Sequence, residues 1–255
     1  MSSRRAIESG GTSLFFSGVL PRVIAHRGLA LDVDENTLPA FAAALEAGAQ
    51  ILETDVRATA DGVAVLFHDD RLSNGKRVQD LTLAALQSVP LPRGGTITTL
   101  QAALTRFPSA RFNIDVKSTA AVVPTAKAIR QADAVERVLI ASFSRVRQRG
   151  TARLLPGVAT SGTSMVVLGA VMAGKLGCTA VMRFILRGID AAQIPTHVAG
   201  MLAVSPAMIK RLHSAGVEVH VWTVNSESEM KALRLAGVDG IVTDRCDLAC
   251  RVFAL

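Results

Sequence analysis

Short apolar runs alternate along the chain with longer segments rich in alanine and leucine. The short runs have the length of buried strands, whereas the longer segments place apolar residues three and four positions apart, as on one face of a helix. The pattern predicts strands over residues 23–25, 51–56, 63–67, 112–116, 138–141, 217–224 and 240–243. It predicts helices over residues 40–48, 81–89, 100–107, 120–132, 145–155, 205–215 and 226–235. Strands that alternate with helices in this way are typical of a parallel sheet built from βαβ units.

The middle of the chain has a weaker pattern. Residues 158–160, 180–182 and 201–204 are further strand candidates, which brings the total above the eight strands that close a barrel. The pattern does not select among these candidates. No linker or change of composition divides the 255 residues, and a single barrel of this kind has about 250. We therefore predict an α/β fold, a single TIM (β/α)8 barrel over residues 23–255, with residues 1–22 as an N-terminal extension and a short insertion after the third strand.

The composition is that of a folded domain with few aromatic rings. Hydrophobic residues make up 49% and charged residues 19% of the chain, which excludes a disordered protein with low hydrophobicity and high charge. The chain has nine Phe, one Trp and no Tyr, and its three Cys are too few for a disulfide framework. Its core must therefore be built mainly from Ala, Val, Leu and Ile.

The N-terminus has the outline of a weak signal peptide, because Arg4 and Arg5 precede an apolar run at 13–20. That run is short, and no small-residue cleavage motif follows it before the first strand. A second apolar stretch, 165–182, contains Lys175 and three glycines, which a membrane-spanning helix tends to avoid. We therefore predict a cytoplasmic protein in which this stretch is a buried part of the barrel, with contact to a membrane surface as the alternative.

Acidic residues lie inside a predicted strand, where a buried barrel strand should be apolar. Glu53, Asp55 and Arg57 are two positions apart, so their side chains project from the same face. Neighbouring carboxylates repel each other unless a cation or a proton lies between them. A hard divalent cation with oxygen ligands would remove that cost, and an ion pair with Arg57 is the structural alternative.

Polar side chains also lie at the ends of other predicted strands. His26 and Arg27 follow the first strand, His68 ends the third, and Asp115 and Lys117 share one face at the end of the fourth. In a TIM barrel the active site is built at the C-terminal ends of the strands. The positions of these groups therefore predict a catalytic site.

Short motifs carry these residues in a fixed order. They are His26-Arg27-Gly28, Glu35-Asn36-Thr37, Glu53-Thr54-Asp55-Val56, Asp61-Gly62, His68-Asp69, Asp115-Val116-Lys117, Ser142-Phe143, Val221-Trp222-Thr223-Val224-Asn225 and Gly237-Val238-Asp239-Gly240-Ile241-Val242-Thr243-Asp244. In order and spacing they resemble the glycerophosphodiester phosphodiesterase family. The resemblance extends from about residue 23 to about residue 248 and is faint between about 155 and 205.

The resemblance implies a metal-dependent hydrolysis of glycerophosphodiesters to glycerol 3-phosphate and an alcohol. It implies that three carboxylates hold one divalent ion, Mg²⁺ or Ca²⁺: Glu53, Asp55 and Asp115. His26 and His68 would be the general acid and base, in an order left open, since imidazole titrates near neutral pH. The nucleophile would be either a water molecule or the neighbouring hydroxyl group of the glycerol moiety, which gives a cyclic phosphate first.

The other expected site residues bind the substrate or orient the catalytic groups. Arg27 and Lys117 would contact the phosphate, for which Arg offers a bidentate fork. Trp222 is either a core residue or a wall for the glycerol or a cationic head group. Glu35 is expected to orient Arg27 or the first histidine, and Asn225 to bind substrate or cap the following helix.

Four features depart from the family pattern. Asp34 stands where the family usually has Pro before Glu-Asn-Thr, and Asp115 replaces a Glu, so a shorter acid must lie closer to the ion. Thr98-Thr99-Leu100-Gln101 replaces the usual Pro-Thr-Leu-Glu. The segment 69–98 is short where a larger insertion often follows the second His, which predicts a more open mouth and looser control over the head group.

Charge and apolar stretches leave other functions open. The formal net charge of +7 favours an anionic partner such as a phosphate. A basic run at 145–153 is expected to be a solvated helix face, with an anionic membrane as the alternative. Nucleic acid is not expected as a partner, because no aromatic residues lie between the arginines of this run.

Two alternatives accompany the leading function, hydrolysis in lipid metabolism. One is a lysophospholipase D or sphingomyelinase D-like action on lipid phosphodiesters, and the other is a barrel that binds phosphodiesters without catalysis. The intact set of histidines and acids favours an enzyme whose substrate is a small-molecule or lipid-derived phosphodiester. The sequence predicts no oligomeric state.

Overall fold

The computed structural model describes residues 13–198, 201–202 and 204–255. Its strands are β1 Arg22–Ala25, β2 Ile51–Ala58, β3 Ala64–Leu66, β4 Arg111–Val116, β5 Val138–Ala141, β6 Ala159–Thr160, β7 Ala191–Pro195, β8 His197–Val198, β9 Met201–Leu202, β10 Glu218–Trp222 and β11 Gly240–Thr243. Its helices are α1 Leu38–Glu46, α2 Leu83–Gln87, α3 Leu100–Arg106, α4 Val122–Gln131, α5 Arg145–Arg153, α6 Ser164–Lys175, α7 Thr179–Ile185, α8 Pro206–Ser214, α9 Glu227–Ala236 and α10 Cys246–Phe253. The signal-like residues Arg4 and Arg5 lie outside the described residues.

Eight parallel strands follow one another in the order β6-β5-β4-β2-β1-β11-β10-β7. The two ends of this sheet meet at a parallel bridge between Ser161 and Ala191. There Gly162 N donates a hydrogen bond to Ala191 O at 2.8 Å. The result is a nearly closed barrel surrounded by helices, which confirms the predicted fold class.

One strand of the barrel, β7, was not predicted by the apolar pattern. Its sequence, Ala191–Pro195, contains a Gln and a Pro and lacks the β-branched run that marks a buried strand. The predicted strand at 180–182 is wrong, because these residues form part of α7. Residues Met201–Leu202 do form a strand, but it pairs with β8 outside the barrel.

The third strand in the chain is not a barrel strand. β3 runs antiparallel to the end of β2, where Val56 pairs with Leu66. β2 thus extends beyond the barrel rim, and β3 returns toward it and carries His68 to the mouth. The insertion after β3 forms a small apolar core together with that strand. Its buried residues are Val65, Leu72, Val78, Leu86 and Ile97.

The apolar run at 13–20 covers the N-terminal ends of the barrel strands. A short 3₁₀ helix, Leu14–Phe16, places Phe15 in the barrel interior, where it is fully buried. Its apolar neighbours on the strands include Ile24, Ile51, Leu139 and Val242. Arg22 and Arg111, which begin β1 and β4, donate hydrogen bonds to backbone carbonyls of this segment.

The apolar stretch 165–182 is divided between α6 and α7. Within the described part of the chain, no helix is long and apolar enough to cross a membrane. The prediction that the stretch is buried holds for one side only. Val167, Ala170 and Val171 are buried against the barrel, whereas Met165 and Leu176 are about three-quarters exposed, at 74% and 75%.

Candidate active site

A cavity of about 490 Å³ opens at the C-terminal ends of the barrel strands. Eight of the ten predicted site residues line it: His26, Arg27, Glu53, Asp55, His68, Asp115, Lys117 and Trp222. The other two, Glu35 and Asn225, lie behind that lining and bind residues that form it or hold it in place. Most of the residues that were predicted to form the site therefore lie around one cavity.

The three carboxylates come from two neighbouring strands. Glu53 and Asp55 project from the same face of β2, and the β2–β4 register places Asp55 beside Asp115. Arg57 does not form the ion pair with them that was the structural alternative. Beyond the rim of the barrel, it donates to the carbonyl oxygen of His68 at 2.9 Å and pairs with Asp70 instead.

Asp55 is the ionised centre of the cluster. Its carboxylate lies 2.8 Å from Lys117 Nζ and 3.0 Å from Arg27 Nε. Asn36 Nδ2 donates a further hydrogen bond to it at 3.1 Å. Although burial alone would raise the pKa of Asp55, the positive charges of Lys117 and Arg27 lower it below its usual range.

Glu53 has the opposite electrostatic character. It is buried, and the backbone N–H of Arg27 donates to its Oε2 at 3.0 Å. Burial, followed by the negative charge of Asp55, raises the pKa of Glu53 to about 8, against a smaller lowering effect of His26. The surroundings therefore favour the protonated form of Glu53 and the charged form of Asp55.

The donor set fits a divalent cation in chemistry. Asp115 accepts a hydrogen bond from Lys117 through Oδ2 at 2.7 Å, but its buried Oδ1 has no hydrogen-bond partner. An unpaired oxygen and a protonated acid beside a charged one are what a hard cation would relieve. Among the described residues, no three His, Cys, Asp or Glu side chains are grouped closely enough to hold a metal. The Asp55 carboxylate lies against Arg27 and Lys117 instead.

One asparagine fixes the part of β2 that carries Asp55. Asn36 Oδ1 accepts hydrogen bonds from Thr54 Oγ1 at 2.7 Å and from the backbone N–H of Asp55 at 3.2 Å. Together with its donation to the Asp55 carboxylate, these bonds hold both the backbone and the side chain of Asp55. Asn36 belongs to the Glu-Asn-Thr motif, but the sequence did not identify it as a site residue.

A second asparagine does the same at the end of β11. Asn225 Oδ1 accepts from Thr243 Oγ1 at 3.0 Å and from the backbone N–H of Asp244 at 2.9 Å. Its Nδ2 donates to the Asp244 carboxylate at 2.6 Å. Asn225 therefore positions Asp244. It does not line the cavity, and the residue at the N-cap of the following helix is Ser226.

Asp244 in turn orients His26. Its Oδ1 lies 2.6 Å from His26 Nδ1, which leaves Nε2 on the other side of the ring, 4.0 Å from Glu53. Burial alone would lower the pKa of His26, but the hydrogen bond to Asp244 and the negative charge of Glu53 outweigh burial and raise it. His26 is thus a rigidly held imidazole that readily carries a proton.

His68 faces the same cavity from the insertion side. Its Nδ1 lies 2.8 Å from Asp69 Oδ1, and 38% of its side chain is exposed. It is therefore more accessible than His26, whose side chain is 23% exposed. The two imidazoles occupy different walls, one deep at the end of β1 and one near the mouth.

The loop after β1 needs an unusual backbone to place Arg27. Arg27 has φ of 56° and Gly28 has φ of 86°, a left-handed region that glycine tolerates best. A Cβ atom at Gly28 would lie 2.7 Å from the Ala40 carbonyl carbon, so only glycine fits. Glu35 Oε1 accepts a hydrogen bond from Arg27 Nη1 at 2.8 Å. Glu35 therefore contacts Arg27, the first of the two residues that it was expected to orient.

The opposite wall of the cavity is apolar. Trp222 lines it and meets the Phe143 ring edge-to-face, with centroids 6.0 Å apart. The centroid of the Phe143 ring also lies 5.5 Å from Lys117 Nζ. Phe143 thus connects the apolar wall to the charged one. Met165 and Leu168 of α6 complete this wall, and the sequence predicted neither of them as a site residue.

Two polar residues on the cavity lining were also missed. Asn113 faces the same way as Asp115 on β4, so strand alternation contained the signal for it. Gln193 belongs to β7, the strand that the pattern did not predict, so no signal placed it at the site. Asn113 Oδ1 and Gln193 Nε2 are both buried without a hydrogen-bond partner, which leaves their bonding capacity for a ligand.

Sequence comparisons agree with this geometry. Residues 26–248 match the glycerophosphoryl diester phosphodiesterase family. The probable glycerophosphodiester phosphodiesterase 2 of Mycobacterium tuberculosis is 40% identical over 231 residues, which cover 88% of this chain and 88% of that protein. The glycerophosphodiester phosphodiesterase of Caldanaerobacter subterraneus is 30% identical over 240 residues, 87% of this chain and 93% of the relative.

Solved structures agree with the fold. The phosphodiesterase domain of an uncharacterized Mycobacterium tuberculosis protein superposes with a TM-score of 0.78 at 20% identity, over 92% of this chain and 99% of that one. An Oleispira antarctica phosphodiesterase, solved with the product sn-glycerol-3-phosphate, superposes with a TM-score of 0.73 at 22% identity, over 92% and 97%. At such identities the likeness concerns the barrel alone.

Proposed function

Because the chain belongs to the glycerophosphoryl diester phosphodiesterase family and is therefore a phosphoric diester hydrolase, we propose that it cleaves glycerophosphodiesters into glycerol 3-phosphate and an alcohol. The observation that carries this proposal is the convergence of two histidines, two cationic side chains and three carboxylates on one cavity. The Oleispira relative binds sn-glycerol-3-phosphate as its product, which supports the same product here.

Arg27 and Lys117 bind the phosphate. Each contacts Asp55, yet the guanidinium and ammonium groups have further N–H donors for the non-bridging oxygens. Asp55 holds both cations in place, so little reorganisation is needed when the diester binds. Such preorganised charge stabilises the negative charge that develops on the phosphoryl group during cleavage.

His26 and His68 transfer the protons. Cleavage forms a bond from phosphorus to the nucleophile, either water or the glycerol hydroxyl group, and breaks the bond to the departing alcohol. Attack by the hydroxyl group gives a cyclic phosphate, which a water molecule then opens to glycerol 3-phosphate. The nucleophile loses a proton and the leaving oxygen gains one, so a base and an acid are both needed. The cavity offers two imidazoles for these roles, each oriented through Nδ1 by a carboxylate.

Glu53, Asp55 and Asp115 are the residues that would hold one divalent cation, Mg²⁺ or Ca²⁺. The cation would supply positive charge to the phosphoryl oxygens. The unpartnered Oδ1 of Asp115 supports this assignment. The raised pKa of Glu53 supports it as well, since burial is its main cause and the negative charge of Asp55 the next.

The activity is tested by incubating the purified chain with glycerophosphocholine or glycerophosphoethanolamine in the presence of Mg²⁺ or Ca²⁺. We expect release of glycerol 3-phosphate, measured enzymatically. An inactive protein with both diesters and both ions would contradict the proposal and would favour a barrel that binds phosphodiesters without cleaving them.

A second candidate, a lysophospholipase D or sphingomyelinase D-like action, is favoured by the apolar wall. Phe143, Met165 and Leu168 offer contacts to an acyl chain that a water-soluble diester lacks. Lysophosphatidylcholine is therefore the matched second substrate. Release of choline from it at a higher kcat/KM than from glycerophosphocholine would favour the lipid substrate.

A further inference from the structure

The excess positive charge of the chain is confined to one segment. Residues 138–189, called here the basic segment, contain seven of the 28 Lys and Arg residues and none of the 21 Asp and Glu residues. The rest of the chain therefore holds 21 residues of each sign. The formal net charge of +7 comes entirely from the basic segment, which covers α5, α6 and α7 on one side of the barrel.

Most of this charge is unpaired at the surface. Six of the seven cations are exposed: Arg145, Arg149, Arg153, Lys175, Arg183 and Arg187. None of these six takes part in the salt bridges found among the described residues. The surface thus carries a field of one sign that no acidic side chain of the segment compensates.

Apolar side chains are exposed on the same surface. Met165 and Met172 of α6 are 74% and 43% exposed, and Leu176, which directly follows α6, is 75% exposed. Their spacing of seven and four residues places them on one side of the helix. On α7, Val181 and Phe184 are 51% and 78% exposed and are three residues apart. The two helices pack against each other, and these five exposed apolar residues are called here the α6–α7 surface.

The α6–α7 surface is continuous with the active-site mouth. Met165 belongs to it and also lines the cavity. Phe143, which precedes α5, is 55% exposed and lines the cavity as well. A partner that covers the α6–α7 surface would therefore lie against the opening through which substrate enters.

We propose that the basic segment docks on an anionic lipid bilayer, with the α6–α7 surface at the boundary between head groups and acyl chains. Exposed apolar side chains and unpaired cations on the same segment are the combination that interfacial membrane binding requires. The field of one sign fits a surface of negative head groups. The docking itself does not depend on the proposed hydrolysis, although docking would bring the cavity to the lipids.

Vesicle binding tests the docking directly. The full chain is sedimented with sucrose-loaded vesicles of phosphatidylcholine alone, or of phosphatidylcholine with phosphatidylglycerol. We expect binding to the anionic vesicles that weakens as NaCl increases, and little binding to the neutral ones. Absence of binding to the anionic vesicles at low salt would overturn the proposal.

Paired variants test the surface. Leu176→Ser combined with Phe184→Ser should weaken binding to anionic vesicles by at least about tenfold. Leu235→Ser is the matched control, because Leu235 is 88% exposed on α9, outside the basic segment, and should bind as the wild type does. Equal binding of the double variant and the wild type would overturn the proposal. It would also be overturned if the wild type did not bind vesicles but formed a dimer that the double variant loses.

The hydrolysis of glycerophosphocholine separates this proposal from the proposed function. Leu176 and Phe184 do not line the cavity, so the double variant should keep the wild-type rate on this water-soluble diester. An enzyme inactive with every diester but bound to anionic vesicles would contradict the proposed function and leave docking supported. An active enzyme that does not bind vesicles would contradict docking alone.

Discussion

A threonine–aspartate pair occurs on both strands that flank β1, as Thr54-Asp55 within β2 and as Thr243-Asp244 at the end of β11. In each case one asparagine binds the threonine hydroxyl, the aspartate N–H and the aspartate carboxylate. One aspartate, Asp55, serves the charged cluster, and the other, Asp244, orients His26. The same local device therefore positions the acidic and the imidazole parts of the site on either side of β1.

At the residue scale, strand alternation and motif order were sufficient for the groups at strand ends. Glu53, Asp55 and Asp115 were predicted to lie at the C-terminal ends of strands, and the β2–β4 pairing brings all three to the lining of one cavity. Alternation could not show that Asp55 turns to Arg27 and Lys117, because side-chain direction depends on partners from other strands. Gln193 was missed because the strand that carries it has no apolar signature.

The two histidines give the most direct kinetic prediction. His26→Ala and His68→Ala should each lower kcat for glycerophosphocholine by about 10²–10⁴-fold, the usual contribution of a general acid or base. The measurement is steady-state release of glycerol 3-phosphate. His213→Ala is the control, because His213 binds Asp239 outside the cavity. Near-normal turnover in either cavity variant would remove that histidine from the mechanism.

Asp244 gives a pH prediction. Its hydrogen bond and charge help to keep the pKa of His26 above the ordinary value, so Asp244→Asn should lower that pKa and shift deprotonation of the ring to lower pH. An NMR titration of the His26 imidazole measures the change. Asp69→Asn, which alters the partner of His68, should leave the His26 titration where it is. An unchanged or higher pKa in Asp244→Asn would contradict the role given to this carboxylate.

At the element scale, most helices and strands followed from periodicity, and the failures have specific causes. The run at 180–182 is apolar and short, a pattern that does not distinguish a strand from part of a helix. It belongs to α7, where Met182 is fully buried. β3 was recognised as a strand, but pairing direction is not encoded in alternation, so its antiparallel course could not be foreseen.

Asp34 shows what a departure from the family pattern does to the neighbouring elements. Its carboxylate accepts hydrogen bonds from the backbone N–H groups of Arg93 at 3.0 Å and Gly95 at 2.9 Å. Arg93 in turn donates to the Ala30 and Val33 carbonyls of the loop after β1. A Pro at this position would have no side-chain acceptor for these bonds. Asp34 thus ties the short insertion to the loop that holds Arg27.

The short helix that closes the bottom of the barrel gives a stability prediction. Phe15→Ala should lower the free energy of unfolding by about 3–5 kcal/mol, because it leaves a cavity among strand residues that cannot close around it. Urea unfolding followed by circular dichroism measures the change. Leu14→Ala is the control, since Leu14 is 54% exposed, and its effect should stay within about 0.5 kcal/mol. Similar losses in both variants would contradict the interior position of Phe15.

At the scale of the whole molecule, the net charge has a different origin from the one that the sequence favoured. The +7 balance suggested an anionic substrate, but Arg27 and Lys117 are paired with Asp55 in the site. The excess lies in residues 138–189 instead. The net charge therefore reflects the side of the barrel beside the mouth. The charge of the cavity depends on the ionisable side chains that line it. The cytoplasmic location stays a prediction.

The central claim is that the carboxylate cluster, loaded with a divalent cation, enables the cavity to cleave a glycerophosphodiester. The most direct test is the release of glycerol 3-phosphate from glycerophosphocholine before chelation, after removal of metal with EDTA, and after Mg²⁺ or Ca²⁺ is returned. We expect activity to disappear on chelation and to return with one of the two ions, whereas Asp115→Asn should not recover fully. Full activity in EDTA would contradict the account.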